Sequence, residues 1–428
     1  MEYLRGLFGI VVLLGVALLF SGNRKRVDWK LVGIGVFIQL VFGVLITQVP
    51  IVAKGFNVVS EVFVRFLDFS IDGAKFVFGD LALVNKSGFI FAFQILPTII
   101  FFSTVTAGLY YLGVLQKIVY GIAWVMAKTM RLSGAESLSA AGNIFLGQTE
   151  APLLVKPFVA KMTKSELMCL MTGGMATLAG GVLAAYVSAL GGDDPVEKTK
   201  FAAYLLSASI MNAPAAIVMS KILVPQTDDD DVDKNLNVGG DQLGVNLIDA
   251  LSKGAGDGLQ LALNVGGMLL AFIAVIAALN AGFGWIGGMT GMNEWVAEST
   301  GHTFDKLSME YILGQIFRVF AWVIGVDWSE SLLVGSLLGQ KTAINEFVAY
   351  LNLAELKDAG ALTPKAIIIS TYALCGFANF SSIAIQIGGI GGIAPSKQGT
   401  LSQLGLRALL GATLACMMTA TIAGMILV

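Results

Sequence analysis

GNIFLGQTEAP at residues 142–152 and GSLLGQKTAINEF at residues 335–347 are two short stretches that look like distant copies of one another. Each sets one glutamate, Glu150 or Glu346, among apolar residues and glycines. Polar groups in such surroundings are costly, and they commonly mark the path of a substrate or an ion across a membrane. One copy in each half of the chain is typical of a secondary transporter built from an internal repeat.

The composition assigns the chain to the membrane proteins. Of its 428 residues, 56% are hydrophobic and 13% are charged, and the mean hydropathy is +0.79. Soluble domains carry roughly 25% charged residues. The net charge of −2, with no basic stripe, indicates that nucleic acid is not a partner. The three cysteines lie in apolar runs and the single histidine, His302, lies in a polar segment, so neither a metal site nor a disulfide is predicted.

Long apolar runs predict an all-α polytopic membrane protein with eight transmembrane helices. A helix needs about 20 apolar residues to cross the hydrocarbon core, and runs of this length exclude a β-barrel. The basic cluster at 24–26 follows the first run, so we place the N-terminus outside. The predicted spans are 4–20, 31–49, 89–114, 166–190, 201–223, 259–282, 364–388 and 404–427.

The segments that carry the two glutamates are predicted to enter the membrane and return. Residues 137–162 and 329–354 are long enough for a helical hairpin, but their polar centres are tolerated only inside protein or beside a cavity. Each follows a predicted interfacial helix, at 116–130 and at 305–326. The order interfacial helix, hairpin, span and span therefore occurs twice. One hairpin follows an inner loop and the other an outer loop, so we expect the repeat to be inverted.

This repeat divides the chain into four parts. We expect scaffold helices 1–3 over residues 1–115 and a first transport unit over 116–223. A cytoplasmic loop and the sixth span follow over 224–304, and a second transport unit occupies 305–428. The loop contains an acidic run at 228–231, which we interpret as solvated. An inverted repeat places its binding site near the middle of the membrane, where the two units meet.

Two further stretches are expected at that meeting point, GGMATLAGGV at 173–182 in the fourth span and CGFANFSS at 375–382 in the seventh. Glycines and small polar residues inside a span permit unwinding, because neighbouring groups can satisfy the freed backbone. Freed carbonyls and hydroxyls suit a small cation, and freed amides at helix starts attract polar groups. The mixture of carboxylates, carboxamides and hydroxyls suits a neutral, hydroxylated solute. No arginine cluster is present for a phosphate or a dicarboxylate.

Two structural alternatives compete with a binding role for these residues. Gly180 and Gly181 are also typical of close packing between helices. The glutamates could instead form ion pairs, with Lys156 or Lys341 as the partner.

Three motifs, in this order, resemble the concentrative nucleoside transporter family: GQTEAPL at 147–153, NEFVAY at 345–350 and CGFANFSSI at 375–383. The similarity covers nearly the whole chain beyond about residue 90, and the eight-span length resembles the bacterial members. The resemblance implies a homotrimer in the bacterial inner membrane. It also implies that a scaffold surrounds three elevator-like transport domains.

The resemblance implies roles at twelve positions. The residues expected to contact the nucleobase are Gln148, Thr149, Glu150 and Val182. Those expected to hold the ribose hydroxyls are Glu346, Asn379 and Ser382, with Phe377 as a neighbouring aromatic. The expected sodium ligands are Asn143, Leu146, Thr177 and Leu178, the leucines through their carbonyls.

The expected function is therefore sodium-coupled symport of nucleosides, uridine and other ribonucleosides among them, with sodium as the coupling ion. Proton coupling through Glu150 or Glu346 is the alternative within transport, and a channel is a different class. A membrane-embedded enzyme would need a nucleophile with an activating base. Ser381 and Ser382 have no histidine nearby in the sequence, so we expect no enzyme.

Overall fold

A computed structural model describes residues 2–88, 90–192, 194–227 and 244–427. The regular elements of these residues are all helices, which confirms the predicted all-α class. The acidic run at 228–231 lies outside the described residues.

The first part of the chain forms six α-helices. They are α1 (Glu2–Leu19), α2 (Trp29–Gln48), α3 (Pro50–Phe78), α4 (Val84–Ser87), α5 (Phe91–Gln94) and α6 (Leu96–Tyr111). The helix α3 is not among the predicted spans, because charged residues interrupt its apolar run. It is an amphipathic helix that buries Val64, Leu67 and Ala74 on one face, at helical spacing.

The next part contains a first hairpin and an interrupted helix. Its helices are α7 (Val114–Met130), α8 (Gly134–Gly142), α9 (Ala151–Leu154), α10 (Lys156–Val159), α11 (Lys164–Ala176), α12 (Gly180–Gly191) and α13 (Pro195–Leu223). Capping boxes begin both α8 and α11, at Ser133 with Glu136 and at Thr163 with Glu166. Each box satisfies backbone N–H groups that a helix start leaves without partners.

The last part repeats this order after a long helix. Its helices are α14 (Leu247–Thr290), α15 (Met292–Ser299), α16 (Met309–Val323), α17 (Ser331–Ala343), α18 (Glu346–Asp358), α19 (Pro364–Leu374), α20 (Phe380–Ile393) and α21 (Gln398–Ile426). A single helix, a hairpin, an interrupted helix and a long helix follow one another in both halves, as the sequence predicts.

Two of the predicted spans differ from the structure. The span predicted at 259–282 is the centre of α14, which has 44 residues. Charged residues near its start, such as Asp249 and Lys253, end the apolar run without ending the helix. Within the described ranges, seven helices are long and apolar enough to cross a membrane. The span predicted at 364–388 is not among them, because five residues separate α19 from α20, whereas the span predicted at 166–190 is counted as one crossing over the three residues between α11 and α12. The count of eight stays a prediction.

The helices α13 and α21 form the centre of the fold. They pack against each other, and the interrupted helices α11–α12 and α19–α20 pack around them. The helices α1, α2 and α3 cover the outside of this core, and α14 packs along α6 at its edge. The side chains of α14 are mostly exposed and apolar, Leu263 and Leu270 among them. Such a surface suits contact with lipid or with another protein chain.

One buried ion pair ties the first hairpin to the core. The ammonium of Lys221, near the end of α13, contacts the carboxylate of Glu136 on α8, and these residues are 7% and 3% exposed. Lys221 also donates a hydrogen bond of 3.0 Å to the hydroxyl of Ser165 at the start of α11. A buried charge is tolerated when it is paired in this way. The pair therefore joins α8, α11 and α13.

Replacing one partner of this pair should destabilise the protein. Lys221→Met keeps the side-chain volume but leaves the Glu136 carboxylate buried and unpaired, which costs about 3–5 kcal/mol. The exposed pair Lys253–Asp249 on α14 provides the matched control, because Lys253→Met removes a solvent-screened contact that contributes little to stability. Thermal unfolding of the purified protein measures both. Equal melting temperatures for the two variants would contradict this assignment.

Candidate functional site

The centre of the fold contains two interruptions in otherwise continuous helices. The first break, residues 177–179, separates α11 from α12, and the second break, residues 375–379, separates α19 from α20. Both fall inside the stretches in which the sequence predicts unwinding, and the structure confirms that prediction. Each break exposes the carbonyl end of one helix and the amide end of the next inside the protein.

The two breaks lie against each other. The side-chain amide of Asn212, on α13, donates to the Ala176 carbonyl at 2.8 Å and to the Cys375 carbonyl at 2.6 Å. The backbone N–H of Phe377 donates to the Thr177 carbonyl at 3.4 Å. Gly376 has a φ of +153°, and a Cβ atom there would come within 2.7 Å of the Ala176 carbonyl oxygen. The close approach of the breaks thus requires glycine at this position.

The turn of the first hairpin packs against the first break. The Phe145 carbonyl accepts a hydrogen bond of 3.2 Å from the N–H of Gly180, the first residue of α12. The adjacent Ile144 carbonyl accepts one of 2.9 Å from the hydroxyl of Ser209 on α13. The four predicted sodium ligands lie on these two contacting segments. They are Asn143 and Leu146 in the hairpin, and Thr177 and Leu178 in the break.

The oxygen atoms of these four residues are suitable ligands for a small cation. Asn143 is 1% exposed, and neither its side-chain oxygen nor its nitrogen has a hydrogen-bond partner among the described residues. The carbonyls of Leu146 and Leu178 also accept no hydrogen bond from the described part of the chain. The Thr177 hydroxyl donates to the Gly173 carbonyl at 2.9 Å, which leaves its oxygen lone pairs available. Buried oxygens without partners are unfavourable unless something binds them.

The second hairpin places Glu346 beside the second break. Glu346 is the first residue of α18 and is 5% exposed. One carboxylate oxygen accepts a hydrogen bond of 2.9 Å from the Tyr186 hydroxyl, and the other accepts one of 3.0 Å from the Asn379 amide. Asn379 caps α20 by accepting from the N–H of Ser382 at 2.9 Å. The predicted ribose residues therefore lie together in the structure.

One predicted nucleobase residue is joined to this group. The side-chain nitrogen of Gln148 donates to the Ser382 hydroxyl at 3.1 Å, and Gln386 donates to the Gln148 oxygen at 3.4 Å. A side chain at Gly174 would collide with the Gln386 amide, so the absence of a Cβ there admits this contact. A continuous row of hydrogen-bonded residues results, in which the backbone N–H of Ser382 provides the link to Asn379. Its members are Gln386, Gln148, Ser382, Asn379, Glu346 and Tyr186.

The remaining predicted residues surround this row without joining it through a described hydrogen bond. Thr149 and Glu150 are exposed, and the Glu150 carboxylate accepts from the Gly147 N–H at 2.9 Å. Val182 is buried in the first turn of α12, and Phe377 is half-buried in the second break.

Glu150 lines a cavity of about 230 Å³ between the first hairpin, the first break and the helices α6 and α14. On the opposite wall lie Phe102 and Ser103 from α6 and Asp257 from α14. The cavity therefore lies between the first half of the site and the helices α6 and α14.

The two structural alternatives, close helix packing at Gly180 and ion pairing of the glutamates, have different outcomes. A side chain at Gly180 would overlap the ring of Phe102, so this glycine allows close packing between helices. It also lies directly after the first break, so the packing role and the interruption of the helix occur at the same place. Lys341 donates to the Ala373 carbonyl at 2.8 Å, and no carboxylate of a described residue lies within 4.0 Å of its ammonium. Lys341 and Glu346 therefore do not form an ion pair in this structure.

Three polar residues of the site were not identified from the sequence: Tyr186, Asn212 and Gln386. For two of them, the spacing in the sequence contained a signal that could have identified them. Tyr186 follows Val182 by four residues, and Gln386 follows Ser382 by four, so each shares a helix face with a predicted residue. Asn212 lies in the long apolar helix α13, far in the sequence from both breaks, and only the packing reveals its partners.

Family models match nearly the whole chain. Two of them are described as Na+ dependent nucleoside transporter, an N-terminal part that matches residues 8–81 and a C-terminal part that matches 204–424. A third, described as nucleoside recognition, matches residues 92–193.

Individual relatives are similar over the full length of the chain. An uncharacterized transporter of Haemophilus influenzae is 42% identical over 430 residues, which is 99% of this chain and 98% of the relative. Sodium/nucleoside cotransporter 1 of Rattus norvegicus is 39% identical over 446 residues, which is 100% of this chain and 64% of the relative. The structure of CNTnw in an inward-facing substrate-bound state has a TM-score of 0.89 and 38% identity, with 100% of this chain and 98% of that chain covered.

The different exposure of the site residues can be measured by thiol labelling. The native cysteines Cys169, Cys375 and Cys416 are buried, so the unmodified protein should label slowly. Thr149→Cys should label fast with a membrane-impermeant methanethiosulfonate, because Thr149 is exposed. Ser382→Cys is the matched control and should label slowly, because Ser382 is 1% exposed. Faster labelling at 382 than at 149 would contradict the described geometry.

Proposed function

We propose a function for this chain from one premise: it belongs to the Na+ dependent nucleoside transporter family. The chain is accordingly a helical membrane transporter and not an enzyme. The proposal is that it imports ribonucleosides, uridine among them, together with sodium ions across the bacterial inner membrane.

The environment of Glu346 is the observation that carries the substrate assignment. A carboxylate has about four lone-pair sites, and Tyr186 and Asn379 use two of them. The remaining sites can accept hydrogen bonds from the two hydroxyls of a ribose. A buried site of this kind rejects analogues that lack the hydroxyls, because its polar groups would then be left unpaired. Gln148, with donor and acceptor atoms, is available to a nucleobase at the other end of the same polar row.

The contact between the first hairpin and the first break supports sodium coupling. A cation held by Asn143, Leu146, Thr177 and Leu178 would fix the turn of the hairpin against α11 and α12. The same turn continues into Gln148, Thr149 and Glu150, so its ordering would prepare the nucleobase contacts. Such coupling is reciprocal, and a bound nucleoside must raise the affinity for sodium by the same factor.

The cavity beside Glu150 supports an elevator movement. The interrupted helices and hairpins, within residues 116–223 and 305–428, would move as the transport domain against scaffold helices in 1–115 and 224–304. The exposed apolar surface of α14 would lie between subunits of a homotrimer.

Uptake into proteoliposomes tests the proposed coupling. An inward sodium gradient should drive concentrative uptake of radiolabelled uridine, and replacement of sodium by choline should abolish it. Asn143→Ala removes a proposed ligand and should raise the sodium concentration for half-maximal uptake about tenfold, which corresponds to roughly 1.4 kcal/mol. Uptake that needs only a proton gradient would select the alternative, with Glu150 or Glu346 as proton carrier. Flux that does not saturate would indicate a channel.

Two substitutions in the polar row should have different effects on substrate selection. Glu346→Ala removes the acceptor for the ribose hydroxyls, so uptake of every ribonucleoside should fall at least about a hundredfold. Gln148→Ala should retain uptake but change the preference among nucleobases. Competition by uridine, cytidine, adenosine and guanosine measures both effects. Intact uptake by Glu346→Ala would show that the ribose pocket is assigned wrongly.

A further inference from the structure

Lys341 is a buried lysine whose charge is not paired with an acid. It is 1% exposed, and within the described ranges its ammonium has no carboxylate within 4.0 Å. The other buried lysine that the structure describes, Lys221, contacts Glu136. An unpaired ammonium inside a protein is strongly unfavourable unless other groups replace its water shell. The groups around Lys341 therefore have to compensate its charge.

The carbonyl ends of two helices provide this compensation. Lys341 lies in the last turn of α17, and its ammonium donates to the Ala373 carbonyl in the last turn of α19 at 2.8 Å. A helix C-terminus carries the equivalent of about half a negative charge, and a cation there is stabilised. Two such termini converge on Lys341.

The first half of the chain has the same pair of helix termini but no lysine. The corresponding helices are α8, which ends at Gly142, and α11, which ends at Ala176, and neither has a basic residue in its last turn. The neutral amide of Asn212 reaches the Ala176 carbonyl, and the side chain of Asn143 is without a partner among the described residues. Neither helix supplies a cation for these termini, so a cation from solution can take that place.

We propose that Lys341 is the built-in cation of the second half, in the role that a sodium ion takes in the first half. The ammonium holds the ends of α17 and α19 together and so fixes the second break. That break ends at Asn379, which donates to the Glu346 carboxylate at 3.0 Å. Lys341 is thus a positioning residue for the ribose hydroxyls, and this inference rests on the proposed function.

Equilibrium binding of two ligands tests this role. Uridine and 2′,3′-dideoxyuridine, which lacks both ribose hydroxyls, are titrated into purified protein at saturating sodium. Lys341→Met keeps the volume without the charge and should weaken uridine binding about tenfold to a hundredfold. Binding of the dideoxy analogue should change less than about twofold, so the preference for uridine is lost. A purely structural defect would weaken both ligands alike.

Two further variants distinguish the charge of Lys341 from its hydrogen bond, and its specific role from the effect of removing any lysine of this hairpin. Lys341→Gln retains a donor for the Ala373 carbonyl but is neutral, and it should lose the preference for uridine as Lys341→Met does. Lys357→Met, on α18 of the same hairpin, removes a half-buried lysine away from the breaks and should behave as the wild type. The affinity for sodium measured without uridine should be unchanged in all three variants, because the first break is intact.

Retention of the wild-type preference by Lys341→Gln would overturn the inference, because the charge would then be dispensable. Equal weakening of both ligands in Lys341→Gln would overturn it as well. Failure of the wild type and of Lys357→Met to bind uridine in sodium would instead refute the proposed function, and the inference with it.

Discussion

Asn212 joins the carbonyl ends of two interrupted helices with a single side-chain amide. Its contacts to Ala176 and Cys375, at 2.8 and 2.6 Å, hold the first and second breaks against each other in the centre of the fold. Four helix termini meet there, and their backbone groups have no intrahelical partners. Every polar feature of the site depends on this arrangement. The breaks supply free carbonyls, and the hairpins fold back to cover them.

The two halves of the site are connected through a short series of contacts. The first break contacts the second through the Thr177 carbonyl and the N–H of Phe377. Asn379, at the end of the second break, contacts both Glu346 and the start of α20. A cation at the first break and a nucleoside at Glu346 would therefore act on the same small group of backbone atoms. Physical contact of this kind is a route for energetic coupling between two sites, which binding measurements can test.

Much of this organisation was predictable from the sequence, because its signals are local. Glycines and small polar residues within apolar runs marked both breaks, and the glutamates marked both hairpins. The amphipathic helix α3 and the ends of α14 were not predicted, because charged residues end an apolar run, whereas a helix continues through them. The partners of Asn212 and Lys341 were not predicted either. Lys341 lies five residues before Glu346 in the sequence, which suggested an ion pair, but its acceptor is the Ala373 carbonyl, 32 residues further on. Only the packing of α17 against α19 brings that carbonyl to the lysine.

In the proposed function, one cation and one nucleoside bind to a shared, interrupted core and stabilise each other. Titration calorimetry of the purified protein tests it most directly, with uridine titrated in sodium and in choline, and sodium titrated with and without uridine. Sodium should raise the affinity for uridine, and uridine should raise the affinity for sodium by the same factor. An affinity for uridine that is identical in sodium and in choline would contradict it.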